Sequence, residues 1–325
     1  MTFRIPRRAL GAAALAPLVP APAIAQAYPT RAISLLVGFA PGGGTDIISR
    51  FLAPVLQEEF GQTIAVENRP GASGTLAVLA MSRARPDGYT MLMTTISASA
   101  VVPPLMNPPP FDIRRDQTAV VHAATVPLVA VVPANAPDRS LPELLERARR
   151  NPGVLNYSSS GVATQQHLAA ELLSSQANVR MTHVPFRGTG QAVNEILAGR
   201  IDLALDTFPT YLPHIRAGRV RALAVTMPQR VEWLPETPTV AELGFPGFDA
   251  VVWYMLMAPP GIPQPIADRW VEAVNKAYRN EDLRKRISDA GFVIGGGTQQ
   301  QAQAMLLNDA ERYATLVRNA AIRLD

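Results

Sequence analysis

The atoms of this chain best placed to do chemistry belong to its backbone. A buried apolar run, Ile33-Ser-Leu-Leu-Val-Gly-Phe39, leads into Ala40-Pro41-Gly42-Gly43-Gly44-Thr45-Asp46, and apolar residues at helical spacing follow. A glycine loop between strand and helix leaves unpaired N–H groups at the helix start, where the helix dipole also favours negative charge. Such a loop can seat an anion, and the same glycines also suit a sterically tight turn. The lysine of a G-x-x-x-x-G-K-[ST] phosphate loop is absent, and Asp46 and Ile47 break the dinucleotide G-x-G-x-x-G spacing. A carboxylate therefore fits the seat better than a nucleotide phosphate. A second loop of similar grammar, Ser158-Ser-Ser160-Gly161, leads to Thr164 at another helix start. Two such loops facing one cleft would hold a carboxylate without an arginine clamp.

Side-chain chemistry is sparse by comparison. The four histidines, His122, His167, His183 and His214, are scattered, with no H-E-x-x-H motif. There is no cysteine, hence no disulfide, thiolate nucleophile or lipid-bearing cysteine. Gly71-Ala-Ser-Gly74 falls one residue short of the G-x-S-x-G elbow, which leaves Ser73 a weak nucleophile. His167 reads as a packing or hydrogen-bonding group near the second loop, and Asp46 as a helix cap. Phe39, Phe186 and Phe208 read as wall residues, able to face a ligand at a loop mouth. No cofactor and no metal is implied.

The elements that must position these loops alternate. Strand, glycine loop and helix are followed by a strand at 64–67, a glycine loop at 71–74, a helix at 75–84 and a strand at 91–95, which predicts a parallel sheet. Thr118 to Pro133 is longer than one strand needs and suits a crossing between domains. The grammar then repeats: helix 141–150, strand 155–157, helix from Thr164, strand 181–184, helix to Gly199, strand 201–205, helical segment 208–218 and strand 220–225. Val251–Ala258 suits a return to the first half, before helices at about 264–279, 281–290 and 299–320. The expected organisation is a first lobe over 26–124, a second over 125–250 and a return over 251–325.

Residues 1–25 have a basic start, a short apolar stretch and Ala23-Ile24-Ala25, the pattern of a cleaved export leader. Ala25-Gln26-Ala27 offers a second cleavage site, and Arg7-Arg8 leaves both Sec and twin-arginine routes open. The 325-residue chain carries 30 Lys and Arg against 26 Asp and Glu; removing Arg4, Arg7 and Arg8 leaves 27 against 26. That near balance, without a basic run, argues against nucleic acid. Nothing offers a membrane span.

Extended motifs then align with a known family. The run Tyr28-Pro-Thr-Arg-Ala-Ile-Ser-Leu-Leu-Val-Gly-Phe-Ala-Pro-Gly-Gly-Gly-Thr-Asp46, with Val66-Glu-Asn-Arg-Pro-Gly-Ala-Ser-Gly74 and Pro86-Asp-Gly-Tyr-Thr90, resembles the Bug (TctC-like) solute-binding proteins of tripartite tricarboxylate transporters. His183-Val-Pro-Phe-Arg-Gly188 and Pro213-His-Ile-Arg-Ala-Gly-Arg-Val-Arg-Ala-Leu-Ala-Val-Thr226 continue the match. The resemblance implies a periplasmic α/β protein of two lobes (type II-like), each a mostly parallel sheet flanked by helices. It would be a monomer that closes on a dicarboxylate, tricarboxylate, acidic amino acid or aromatic carboxylate such as nicotinate, or on a related amide. It would deliver that ligand to a membrane permease; presentation to a sensor kinase and hydrolysis at Ser73 stand as alternatives. By the same resemblance the ligand meets N–H groups of Ala40 to Asp46 and of Ser160 to Thr164, Gly161 and Ala163 included. Phe186, Arg187, Gly188 and Asp206 then choose among ligands.

Overall fold

The computed structural model describes residues 28–319, so the leader with its cleavage sites lies outside the described residues. The first elements are β1 (Ile33–Val37), α1 (Gly44–Phe60), β2 (Ile64–Asn68), α2 (Thr75–Ser82) and β3 (Thr90–Thr95). The long β4 (Thr118–Pro133) leads to α3 (Leu141–Arg150), β5 (Asn156–Ser159), α4 (Gln165–Gln176), β6 (Thr182–Pro185) and α5 (Thr189–Leu197). Then come β7 (Leu203–Thr207), α6 (Phe208–Arg216), β8 (Val220–Val225) and β9 (Val251–Ala258). The chain closes with α7 (Gln264–Ala277), α8 (Glu281–Asp289), β10 (Val293–Gly296) and α9 (Gln299–Asn319).

Strand order is β2-β1-β3-β9-β4-β7-β5-β6, with β8 and β10 also on β4. Each lobe has a parallel unit, β2-β1-β3 in one and β6-β5-β7 in the other. The expectation of a parallel sheet is corrected at the strands that link the lobes. β9 runs antiparallel to β3 and β4, and β7, β8 and β10 run antiparallel to β4. The reason is directional: β4 carries the chain out of the first lobe and β9 carries it back.

β4 is long because it serves two sheets. Thr118 to Pro127 pair with β9, and from Leu128 onward the partners are β7 and β8. Thr226 ties this handover together: its hydroxyl accepts from the Leu128 N–H at 2.9 Å and donates to the Ala250 carbonyl at 2.5 Å. Strand β1 is apolar and almost wholly buried because helices cover both faces of the sheet. Helix α1 lays Ile48, Leu52, Leu56 and Phe60 into the core and stops at Gly61, whose φ of 65° is the left-handed cap a glycine adopts freely. Strand β10 and a buried π-helical turn at Ser97–Val101 are among the elements that the sequence pattern does not signal.

Candidate functional site

The first loop becomes a bare helix start. Gly43 caps α1 without a side-chain acceptor, and the Ile47 N–H is the first to bond within the helix, to the Gly43 carbonyl. The N–H groups of Gly44, Thr45 and Asp46 are therefore left for another acceptor. Asp46 does not compete for the space. Its carboxylate accepts from the Gly42 N–H at 3.0 Å and from Asn68 Nδ2 at 2.9 Å, and pairs with Arg50 at 2.9 Å. Burial pushes its carboxyl up, but the bonds from Arg50, Gly42 and Asn68 outweigh it and hold it below the usual value. Asp46 thus braces the loop from behind.

The second loop is closed on itself. Ser159 Oγ and Thr164 Oγ1 both donate to the Gly161 carbonyl, at 2.9 and 2.7 Å. The Ala163 N–H donates to His167 Nδ1 at 3.0 Å, which holds Ala163 at a left-handed φ of 57°. His167 stacks on His183 at 3.8 Å between centroids, and Tyr157 lies against both rings, 5.0 Å from His183 and 6.3 Å from His167. Burial and the neighbouring His167 push the His183 imidazole down to about 3, so the stack is neutral. His167 is a loop brace, as its position suggested.

The two lobes touch across the cleft. The Ala40 N–H donates to the Arg187 carbonyl at 3.1 Å, the Gln165 N–H to Ser97 Oγ at 3.0 Å and Ser73 Oγ to the Val162 carbonyl at 2.8 Å. Thr210 Oγ1 donates to the Gly42 carbonyl at 3.3 Å. A side chain at Gly190 would collide with the Pro41 carbonyl oxygen, so this approach requires glycine.

Between these contacts lies an inner cavity. It is lined by Phe39, Gly43, Gly44 and Thr45 of the first loop, Ser160, Thr164 and Gln166 of the second, and Thr95, Ser97, Thr189, Thr207, Val252 and Tyr254. The starts of α1, α4, α5 and α6 all contribute, and no charged side chain is in this lining. The cavity is narrow and shut in by the contacts between the lobes. An outer pocket of about 190 Å³ lies alongside, sharing Phe39 and Ser160 and adding Gly161, Phe186, Arg187 and the strained turn at Ala72 and Ser73.

The structure thus sorts the residues singled out from the sequence. Phe39, Gly43, Gly44, Thr45, Ser160 and Thr164 line the inner cavity; Gly161, Phe186 and Arg187 line the outer pocket. Ala40, Pro41, Gly42 and Gly188 sit at contacts between the lobes. Asp46 and Ala163 lie behind their loops, and Asp206 is fully buried behind Gln166, Thr189 and Thr207. Thr95, Ser97, Gln166, Thr189, Thr207, Val252 and Tyr254 were missed. None belongs to a local motif; only the closing of the lobes assembles them.

Known proteins share this architecture. The sequence matches the family described as "Tripartite tricarboxylate transporter family receptor" over residues 48–322. It is 38% identical, over 90% of this chain and 87% of the relative, to the UPF0065 protein in the tcbD-tcbE intergenic region of Pseudomonas sp. strain P51. Among solved structures, the periplasmic binding protein BugD shows 29% identity and a TM-score of 0.87, covering 91% of this chain and 99% of that one. Rpa4515 of R. palustris, solved with adipate, shows 31% identity and a TM-score of 0.88, covering 91% and 99%. MatC of Rhodopseudomonas palustris, solved with bound malate, shows 28% identity and a TM-score of 0.83, covering 89% and 100%. With its two lobes, its cleft and a match across nearly its whole described length, the chain belongs to the receptor family of tripartite tricarboxylate transporters.

Proposed function

We propose that this protein is an exported receptor that closes on a small carboxylate and delivers it to a tripartite tricarboxylate-type permease. The observation that carries the reading is the convergence of four helix starts on one cavity whose lining has no charged side chain. Partial positive charge from backbone N–H groups favours an anion, and the absence of a lining acid spares it repulsion. Charge-assisted bonds contribute roughly 1.5–3 kcal/mol each, so four or five supply the ~8 kcal/mol of micromolar binding after losses. The adipate and malate held by the two R. palustris proteins support this ligand class. The cycle needs no covalent step.

The lobes meet around the inner cavity, so entry of a ligand requires them to part. The proposed hinge lies where β4 changes partners at Pro127 and Leu128 and where β9 begins at Val251. The closed monomer then presents both lobes to the permease, after cleavage of the leader at Ala25 or Ala27.

A thermal-shift screen of the mature protein against dicarboxylates, tricarboxylates, acidic amino acids and aromatic carboxylates tests this. A saturable rise is expected with one class of carboxylate, recovered chemically unchanged. Stabilisation only by neutral compounds, or turnover of the added compound, would overturn the reading.

A further inference from the structure

Strand β10 leaves one edge of the sheet open. It pairs with β4 alone, opposite Ala124 and Thr125, and no other strand among the described residues joins its outer edge. Its four residues, Val293-Ile294-Gly295-Gly296, lack the lysine or proline that guards many edges. Alternate residues of such a strand turn their N–H and C=O groups away from the neighbour, where an added extended chain can bond them. Val293 is 44% exposed, whereas Phe292 before it is buried against Phe51 and Tyr254.

Beside this edge runs a groove that both lobes wall. Val293, Ile294 and, from α8, Arg284 and Lys285 stand on the first-lobe side; Glu232 and Trp233 stand on the second-lobe side. The second wall is tied to the ligand cavity. Trp233 packs on Phe208 at 5.5 Å between ring centroids, and Phe208 directly follows Thr207, which lines the inner cavity. Phe208 in turn presses on Gly291 of the first lobe, so closely that a Cβ there would fall 2.4 Å from its ring. The angle between the lobes therefore sets the width of the groove, and Phe208 connects the groove to the cleft. A surface built in this way differs between the open and closed forms, and the partner that must tell those forms apart is the permease.

The chemistry of the walls says what fits. Arg284 is exposed and has no acidic partner among the described residues, while Lys285 pairs with Asp289. Trp233 and Val293 face the same groove with apolar surface, and tryptophan and arginine are the residues that most often anchor a protein contact. We propose, on the receptor reading above, that the closed protein docks on its permease through this groove. The occupant is an extended segment of the permease that adds to the edge of β10, sets an apolar side chain between Trp233 and Val293, and places a carboxylate on Arg284.

Separating binding from uptake tests this. Val293→Asp and Arg284→Glu lie outside the cavity, so calorimetry with the carboxylate that raises the melting point most should give the wild-type affinity, and an unchanged melting point confirms that each variant folds. In the producing cells, with each variant in place of the native gene, uptake of that carboxylate in radiolabelled form should fall about tenfold or more, the loss of one anchoring contact. Val154→Asp, at a second-lobe position that is 70% exposed and not in the groove, should leave uptake unchanged. Wild-type uptake with Val293→Asp and Arg284→Glu, or an equal fall with Val154→Asp, would overturn the proposal. So would weaker carboxylate binding in the two groove variants, which would make the groove a part of closure, and so would a wild-type dimer in sedimentation that Val293→Asp dissolves, which would give the groove to a second copy of this chain. Each of these results leaves the receptor reading standing, whereas a wild type that neither binds nor imports any carboxylate overturns both.

Discussion

The two loops that face the cleft share a pattern in the sequence but do opposite work. The first exposes the N–H groups at the start of α1 and is braced from behind by an aspartate paired with Arg50. The second spends the Ser159 and Thr164 hydroxyls on its own Gly161 carbonyl and gives the first N–H of α4, that of Gln165, to Ser97 of the other lobe. The first loop is a seat; the second is largely a latch. The buried aspartates repeat the contrast, Asp46 with its cation and its carboxyl held down, Asp206 with none among the described residues and its carboxyl pushed up by burial. Similar strand–loop–helix grammar thus places donors in one lobe and closing contacts in the other.

The contrast is broken most severely at Gly190. Gly190→Ala places a Cβ against the Pro41 carbonyl oxygen and should hold the lobes apart without unfolding either. Crowding of that kind costs about 1–3 kcal/mol, so ligand affinity should fall roughly five- to 150-fold in calorimetry with little change in the ligand-free melting point. Gly43, by contrast, has only ordinary contacts around the position of a Cβ, so Gly43→Ala should be tolerated and only a bulky residue there should block the seat.

Next comes Asp46→Asn, which removes the charge that ties Arg50 to the first loop. It should cost roughly 1–2 kcal/mol of stability at neutral pH, discounted for the half-exposed arginine. Because the folded carboxyl lies below its ordinary value, its contribution is present above about pH 4 and is lost as pH falls through the folded value. Denaturant titrations should therefore separate wild type from variant at pH 7 and bring them together in acid. A constant gap down to pH 2 would contradict the assignment.

Smaller effects belong to the latch. Ser97→Ala removes the acceptor of the Gln165 N–H and should weaken ligand binding about fivefold, a net hydrogen bond's worth. Thr210→Val loses only a 3.3 Å bond to the Gly42 carbonyl and should change affinity less than about threefold. If these two outweighed Gly190→Ala, closure would depend on the bonds rather than on the close approach of backbones.

Much of this was legible in the residues. Apolar runs and helical stripes located nearly every strand and helix, because burial on one or both faces of a sheet dictates them locally. β10 was hidden because Val293-Ile-Gly-Gly296 is half glycine and gains its order from pairing with β4. The direction of β9 was equally hidden, since strand–helix alternation describes neighbours in sequence and not the return of a chain between lobes. At the site, Gly43, Gly44, Thr45 and Thr164 were readable from loop chemistry. Ser97, Gln166, Thr189 and Tyr254 were not, because they sit on separate elements that meet only when the lobes close. Asp206, expected to help choose among ligands, stands one layer behind the side chains that line the cavity.

The central claim is that backbone amides at the start of α1 hold the ligand's carboxylate. Nuclear magnetic resonance of the ¹⁵N-labelled protein, titrated with the tightest-binding acid from the screen, tests it most directly. The amide resonances of Gly44, Thr45 and Asp46 should shift strongly downfield and saturate with the calorimetric affinity. Saturable binding that leaves those three amides unmoved would contradict the account.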